Sequence, residues 1–152
     1  MKKWIALLLV IPIGLGSFGG EDVGKLDPVQ VVMITQEKNM LQIETDSGQK
    51  GRGSNPTAAV EDLMKTSSSK VFLDTTEYLL LEPGTEQWLL QLGDYLRPSC
   101  HICYVLEEVD LQEAGAYLKT HPSKIDLRHY EAGKRQLPTL IYNEGRMTLV
   151  QS

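Results

Sequence analysis

The sequence predicts a single α+β domain in which helices and strands alternate and a β-hairpin stands at each end. The chain has 152 residues, of which 41% are hydrophobic and 23% charged, and this suits one folded domain with a sizeable core. Short runs of apolar or alternating residues predict strands, and apolar residues at helical spacing between them predict helices. Residues 21–152 are assigned to this domain, and residues 1–20 precede it as a separate segment.

The first hairpin is predicted from two neighbouring runs. Residues 30–34 form a short apolar run, residues 40–45 alternate apolar with polar, and the polar residues 37–39 lie between them. The glycine-rich stretch 48–53 that follows is expected to be a flexible polar loop.

A helix is predicted over residues 56–66. Asn55 or Ser54 would cap it, and Pro56 suits its first turn. Apolar residues then recur at helical spacing, so this helix is expected to bury one face.

The remaining elements follow from the same two periodicities and from the turn residues between them. Pro98 and Pro122 each end a helix, and Asp110 with Glu113 resembles a capping box at the start of the second. The expected elements are strands at 71–73 and 78–81, a helix over 85–96, a strand over 102–109 and a helix beginning at 110. The stretch 123–136 is ambiguous and is either a short helix or an ordered loop. A second hairpin follows, with strands at 137–142 and 147–150 on either side of 143–145.

The first twenty residues have the layout of a secretory signal. Lys2 and Lys3 form a basic start, residues 4–15 are apolar, and small residues follow. The uncharged run is near the lower length limit of a membrane span, so an uncleaved anchor is the alternative to a cleaved signal. Either interpretation places the domain outside the cytoplasm, secreted or anchored at the membrane. Residues 15–18 have the shape of a lipobox, but Phe18 stands where the lipidated cysteine would be.

The charge of the chain argues against nucleic acid as a partner. The net charge is −5, and two of the basic residues lie in the first twenty residues, so the remaining chain is more acidic still. Binding to phosphate backbones needs a clustered basic surface.

A C-x-x-C motif offers one catalytic interpretation. Cys100 and Cys103, together with Pro138 before a predicted strand, resemble the active-site elements of a thioredoxin-like thiol oxidoreductase. That family places its first cysteine after a strand and at the start of a helix. Here a helix is expected to end at Pro98 and a strand to follow Cys103. If 100–103 is extended, the two side chains point to opposite faces and cannot easily form a disulfide.

No other residues form a catalytic or metal-binding motif in the sequence. His101, His121 and His129 lack the paired spacing with cysteines that is typical of zinc sites. The sequence has no nucleophile elbow, no H-E-x-x-H motif and no phosphate-binding loop. We therefore expect no catalytic, metal-binding or cofactor-binding residues and no cofactor, unless the C-x-x-C interpretation applies.

The order of segments over residues 1–120 resembles the N-terminal domain of the Ger(x)C family, the C-subunits of spore germinant receptors. The matching segments are Glu21-Asp22 with 26–34, Gly51-Arg52-Gly53 into Ala58-Ala59, Ser69-Lys70-Val71-Phe72, 78–81, 92–96 with Arg97-Pro98, and 103–109 before Ala114. Phe18 stands at the position of the family's lipobox cysteine. The resemblance covers only the family's first domain, and its two later domains have no counterpart in this sequence. No site residues carry over, because motifs do not sharply define the family's functional residues.

The resemblance implies a non-enzymatic subunit outside the cytoplasm, associated with membrane receptor proteins of the germination system. The leading hypothesis is thus an exported, non-catalytic interaction or accessory domain at the outer face of a bacterial membrane, linked to spore germinant receptors. Its membrane contact would run only through a retained N-terminal segment. The alternative is a thiol oxidoreductase that uses Cys100 and Cys103.

Overall fold

A seven-stranded mixed sheet forms the centre of the computed structural model, which describes residues 26–67, 70–130 and 136–150. The predicted signal or anchor at 1–20 lies outside the described residues. The elements are β1 (Leu26–Pro28), β2 (Val31–Glu37), β3 (Met40–Thr45), β4 (Lys50–Gly53), α1 (Pro56–Thr66), β5 (Lys70–Phe72), β6 (Tyr78–Leu81), α2 (Leu89–Leu92), β7 (His101–Val105), α3 (Leu111–Thr120), β8 (Thr139–Asn143) and β9 (Arg146–Val150), with short 3₁₀ turns at Leu73–Thr75 and Glu86–Trp88. The predicted α+β class is confirmed.

The sheet combines a parallel centre with antiparallel flanks. Its strand order is β4-β3-β2-β6-β7-β8-β9. The three pairs at its centre, β2–β6, β6–β7 and β7–β8, are parallel. The flanking strands β3, β4 and β9 pair antiparallel. Strands β1 and β5 form a separate parallel pair beside this sheet.

Helices cover both faces of the sheet, which is why the central strands are apolar on both sides. In β6, Leu79 packs in one buried cluster with apolar residues of α1 and α2. The next residue, Leu80, packs in the opposite cluster with apolar residues of α3. We call these two sides the α1–α2 face and the α3 face. None of the helices among the described residues is long and apolar enough to cross a membrane.

Both predicted hairpins are confirmed. Lys38 and Asn39 connect β2 to β3 with φ angles of 51° and 69°, and Glu144 and Gly145 connect β8 to β9 with φ angles of 52° and 76°. Two successive positive φ angles are the signature of a type I′ turn, whose twist matches that of the adjoining strands.

Helix α1 has the predicted bounds, and the side chain of Asn55 caps it by accepting a hydrogen bond from the backbone N–H of Ala58 at 2.9 Å. The expectation of a flexible loop over 48–53 is wrong at 50–53, because these residues form strand β4. A Cβ atom at Gly51 or Gly53 would lie 2.6 Å or less from backbone atoms of α1. The glycines therefore allow the helix to approach the strand closely.

The helix expected over 85–96 is shorter in the structure. It consists of a 3₁₀ turn at Glu86–Trp88 followed by one turn of α-helix in α2, and the hydroxyl of Thr85 donates to the carbonyl of Glu82 rather than capping it. The strand expected over 102–109 is β7, which ends earlier than expected, at Val105.

Helix α3 begins as predicted, with the side chain of Asp110 accepting from the backbone N–H groups of Gln112 and Glu113. It connects distant parts of the sheet. The side-chain amide of Gln112 donates to the carbonyl of Asp46 after β3, and the hydroxyl of Tyr117 accepts from the N–H of Leu149 in β9.

Candidate functional site

The structure separates the two cysteines of the C-x-x-C motif. Cys103 lies in strand β7 and Cys100 lies directly before it, and both thiols are free and buried. Cys100 packs on the α1–α2 face, whereas Cys103 packs on the α3 face. The sheet therefore stands between the two sulfur atoms, as expected for an extended segment.

Burial also suppresses the reactivity of these thiols. It raises the pKa of Cys100 and of Cys103 to about 12, and the guanidinium of Arg97 only partly offsets the effect at Cys100. The described residues contain no cis peptide bond, so the bond before Pro138 is trans, and the carbonyl of Pro138 accepts from the N–H of Tyr104. A thioredoxin-like site would place its first cysteine at the start of a helix and a cis peptide bond before the proline that corresponds to Pro138, and this geometry fits neither expectation.

The three histidines lie in different environments. His101 forms a backbone bridge with Asp126, His129 hydrogen-bonds the carboxylate of Asp126 through Nδ1 at 2.8 Å, and His121 stacks on Tyr117 with ring centroids 4.4 Å apart. Within the described ranges, no group of three or more His, Cys, Asp or Glu side chains is arranged to hold a metal ion.

A cleft of about 500 Å³ lies on the α1–α2 face, between the turn of α2 and the chain at 127–130. Its walls are mostly aliphatic, and Leu90, at its rim, is 89% exposed. Two charged side chains, those of Glu86 and Arg128, also line it. Sequence reasoning missed this site, because residues far apart in the chain build it without any short motif.

Hydrogen bonds fix the carboxylate of Glu86 in position. One of its oxygens accepts from the hydroxyl of Tyr104 at 2.7 Å, and the other accepts from the backbone N–H of Gly84. Desolvation raises the pKa of Glu86, but these hydrogen bonds and one from its own backbone N–H outweigh it, so the pKa lies below its ordinary value. The side chain is therefore ionised at neutral pH.

A hydrogen bond next to the cleft joins the carboxyl ends of two neighbouring strands. Glu86 follows β6, and Tyr104 lies near the end of β7, which pairs with β6 in parallel. Strand β6 continues into α2 on one face of the sheet, and β7 continues into α3 on the other face.

The two edges of the sheet differ in their protection. At β4, the carboxylate of Asp62 accepts from the N–H of Arg52 at 2.8 Å, and the hydroxyl of Thr66 donates to the carbonyl of Lys50 at 3.1 Å. Side chains of α1 thus occupy two outward backbone groups of this edge, the N–H of Arg52 and the carbonyl of Lys50.

Among residues 26–67, 70–130 and 136–150, a side chain protects the β9 edge at one position. The N–H of Leu149 points outward to the hydroxyl of Tyr117, and by the alternation of an antiparallel ladder the N–H of Met147 also points outward. The sheet face beside this edge carries two exposed apolar side chains, those of Ile141 (36%) and Val150 (44%). Edges with open backbone groups and apolar neighbours readily accept a further strand.

The fold defines the chain as a small, single-domain protein of the α+β class. Comparisons with protein-family models, with curated proteins and with solved structures found no significant match.

Proposed function

We propose that this protein is an exported, non-catalytic interaction domain that binds a membrane receptor protein at the outer face of a bacterial membrane. The observation that carries the proposal is the edge at β9, where side chains of the described residues occupy only the N–H of Leu149, whereas side chains of α1 occupy two backbone groups at the β4 edge. The partner would add an extended strand to β9, with its backbone hydrogen-bonded to the outward groups of that strand.

The side chains around β9 suit such a partner. Ile141 and Val150 offer an apolar surface on the α1–α2 face, next to the strand that would be added. The single charged residue of β9 is Arg146, at the hairpin end, so like charges do not line this edge against pairing. Backbone pairing would supply affinity, and the two apolar side chains would select the partner's residues.

The location of the partner is argued from the sequence. A basic start, an apolar run and small residues within 1–20 favour export, with the domain secreted or held at the membrane. The resemblance to the Ger(x)C family favours a subunit of a spore germinant receptor as the particular partner. The location of the partner and its assignment to a germinant receptor are both tested by identifying the protein that β9 contacts.

Replacing Met147 with proline is expected to abolish partner binding. Proline removes the outward N–H of this position and leaves the hydrogen bonds between β8 and β9 intact, as is usual for proline on an edge strand. The expected loss of affinity is at least tenfold, because backbone hydrogen bonds across the new strand pair cannot form. Met147→Ala is the matched control, since it also loses the side chain but keeps the N–H.

Site-specific photo-crosslinking in membranes of the native host would make this measurement. One crosslinking amino acid replaces exposed Thr148 in β9, and another replaces exposed Lys50 in β4. We expect a crosslink to an integral membrane protein from position 148 and not from position 50, retained with Met147→Ala and lost with Met147→Pro. Equal crosslinking from both edges, or none to a membrane protein, would contradict the proposal. Capture of a membrane protein unrelated to germination would contradict only the receptor assignment.

A further inference from the structure

We propose that the cleft beside α2 binds a small molecule that joins an ammonium group to an apolar body, with Glu86 as the anion that receives the ammonium. This inference goes beyond the proposed function, because it concerns a different surface and a different kind of ligand.

The apolar part of the ligand follows from the cleft walls. Leu89, Leu96 and Leu127 line the cleft, and Leu90 stands almost fully exposed at the rim. The volume of about 500 Å³ lies within the range of cavities that hold small organic ligands. An apolar body placed there would remove the side chain of Leu90 from water as well as its own surface.

The expected charge of the ligand follows from the two charged side chains that line the cleft, because only one of them has an ion-pair partner among the described residues. Arg128 is already paired, since its guanidinium lies 3.6 Å from the carboxylate of Asp126. Within the described part of the chain, no lysine, arginine or histidine lies within ion-pair distance of Glu86. The unmatched charge in the cleft is therefore negative, and it favours a cationic ligand over an anionic one.

The carboxylate of Glu86 also has capacity to bind such a ligand. Its two oxygens together offer about four acceptor positions. The hydroxyl of Tyr104 and the backbone N–H groups of Gly84 and of Glu86 itself occupy three of them and hold the group in a fixed orientation, which leaves one for a ligand. Tyr130 lines the same cleft as Glu86, and its pKa is raised by desolvation first and by the negative charge of Glu86 second. An ammonium within the cleft would thus meet a pre-positioned anion beside aromatic and aliphatic walls.

The test uses three probes that share one apolar body: phenethylamine, the neutral 2-phenylethanol and the anionic 3-phenylpropionate. Their dissociation constants are measured on the whole protein by calorimetry, with chemical-shift mapping to locate them. We expect phenethylamine to bind at least tenfold more tightly than the other two, with shifts at Leu90 and Glu86.

Two variants assign the preference to Glu86. Glu86→Gln keeps the shape and an oxygen acceptor but removes the charge, so we expect at least a tenfold loss for phenethylamine and an unchanged constant for 2-phenylethanol. Tyr104→Phe keeps the charge but loses the positioning hydroxyl, and a smaller loss is expected. Met147→Pro should leave phenethylamine binding unchanged, so failure here is distinguishable from failure at β9. Equal affinity for all three probes, no binding of any, or tight phenethylamine binding by Glu86→Gln would overturn the inference.

Discussion

Replacing Gly51 with alanine is expected to lower the free energy of unfolding by about 3 kcal/mol, at the upper end of the usual cost of overpacking. The added Cβ would lie 2.6 Å from both the backbone nitrogen and the Cβ of Leu63, and closer still to the carbonyl oxygen of Ala59. These atoms belong to the backbone of α1 or are fixed directly to it, so no rotamer change can relieve the clash. Chemical denaturation monitored by circular dichroism would measure the loss.

Gly93→Ala is the control for this substitution. Its Cβ would meet the carbonyl oxygen of Leu90 at 3.3 Å and that of Leu89 at 3.6 Å, and the residue has the φ angle of a right-handed helix. We expect a change below about 1 kcal/mol. A near-neutral Gly51→Ala would show that 50–53 is the flexible loop that the sequence suggested. Leu63→Ala should not rescue Gly51→Ala, because the clashing atoms of Leu63 remain in alanine.

The second large effect concerns the reactivity of the cysteines. With the pKa of both thiols raised to about 12, the thiolate fraction at pH 8 falls on the order of a thousandfold below that of an exposed cysteine. We therefore expect the folded protein to react with Ellman's reagent at least that much more slowly than the protein in denaturant, where both thiols should react at the ordinary rate.

Single variants Cys100→Ala and Cys103→Ala report each thiol separately. In each variant the one remaining thiol should react slowly with Ellman's reagent, since each cysteine is buried in its own cluster on one side of the sheet. An oxidant should leave the folded protein without an internal disulfide. One fast thiol in the folded state, or a disulfide between Cys100 and Cys103 that forms without unfolding, would contradict the structure and restore the oxidoreductase hypothesis.

Local signals in the sequence were sufficient for the elements that depend on neighbouring residues. Asn55 and Asp110 cap helices as their positions in the chain predicted, and both hairpin turns lie where polar or glycine residues separate two predicted strands. The opposite orientations of Cys100 and Cys103 also followed from the alternation of an extended segment alone.

Features that depend on distant contacts did not follow from the sequence. Gly51 and Gly53 resemble loop residues until α1 is placed against them, because the absence of a Cβ serves close packing as readily as a turn. The helix predicted from Thr85 is cut short, and its first residues instead help to line the cleft. The contact between Glu86 and Tyr104 depends on the neighbouring positions of β6 and β7, which no spacing rule reveals.

The parallel centre of the sheet also determines the order in which the chain can fold. Met40 pairs with Glu37 across a tight turn, so the β2–β3 hairpin closes a very short loop and can form within microseconds. The other side of β2 pairs with β6. Val31 can pair with Tyr78 only after β3, β4, α1 and β5 have been added to the chain. Closing this long loop costs more chain entropy and makes folding slower. During synthesis, the apolar strand β2 therefore keeps one side open to other chains until Tyr78–Leu81 has been added, and in this interval the protein is most exposed to aggregation.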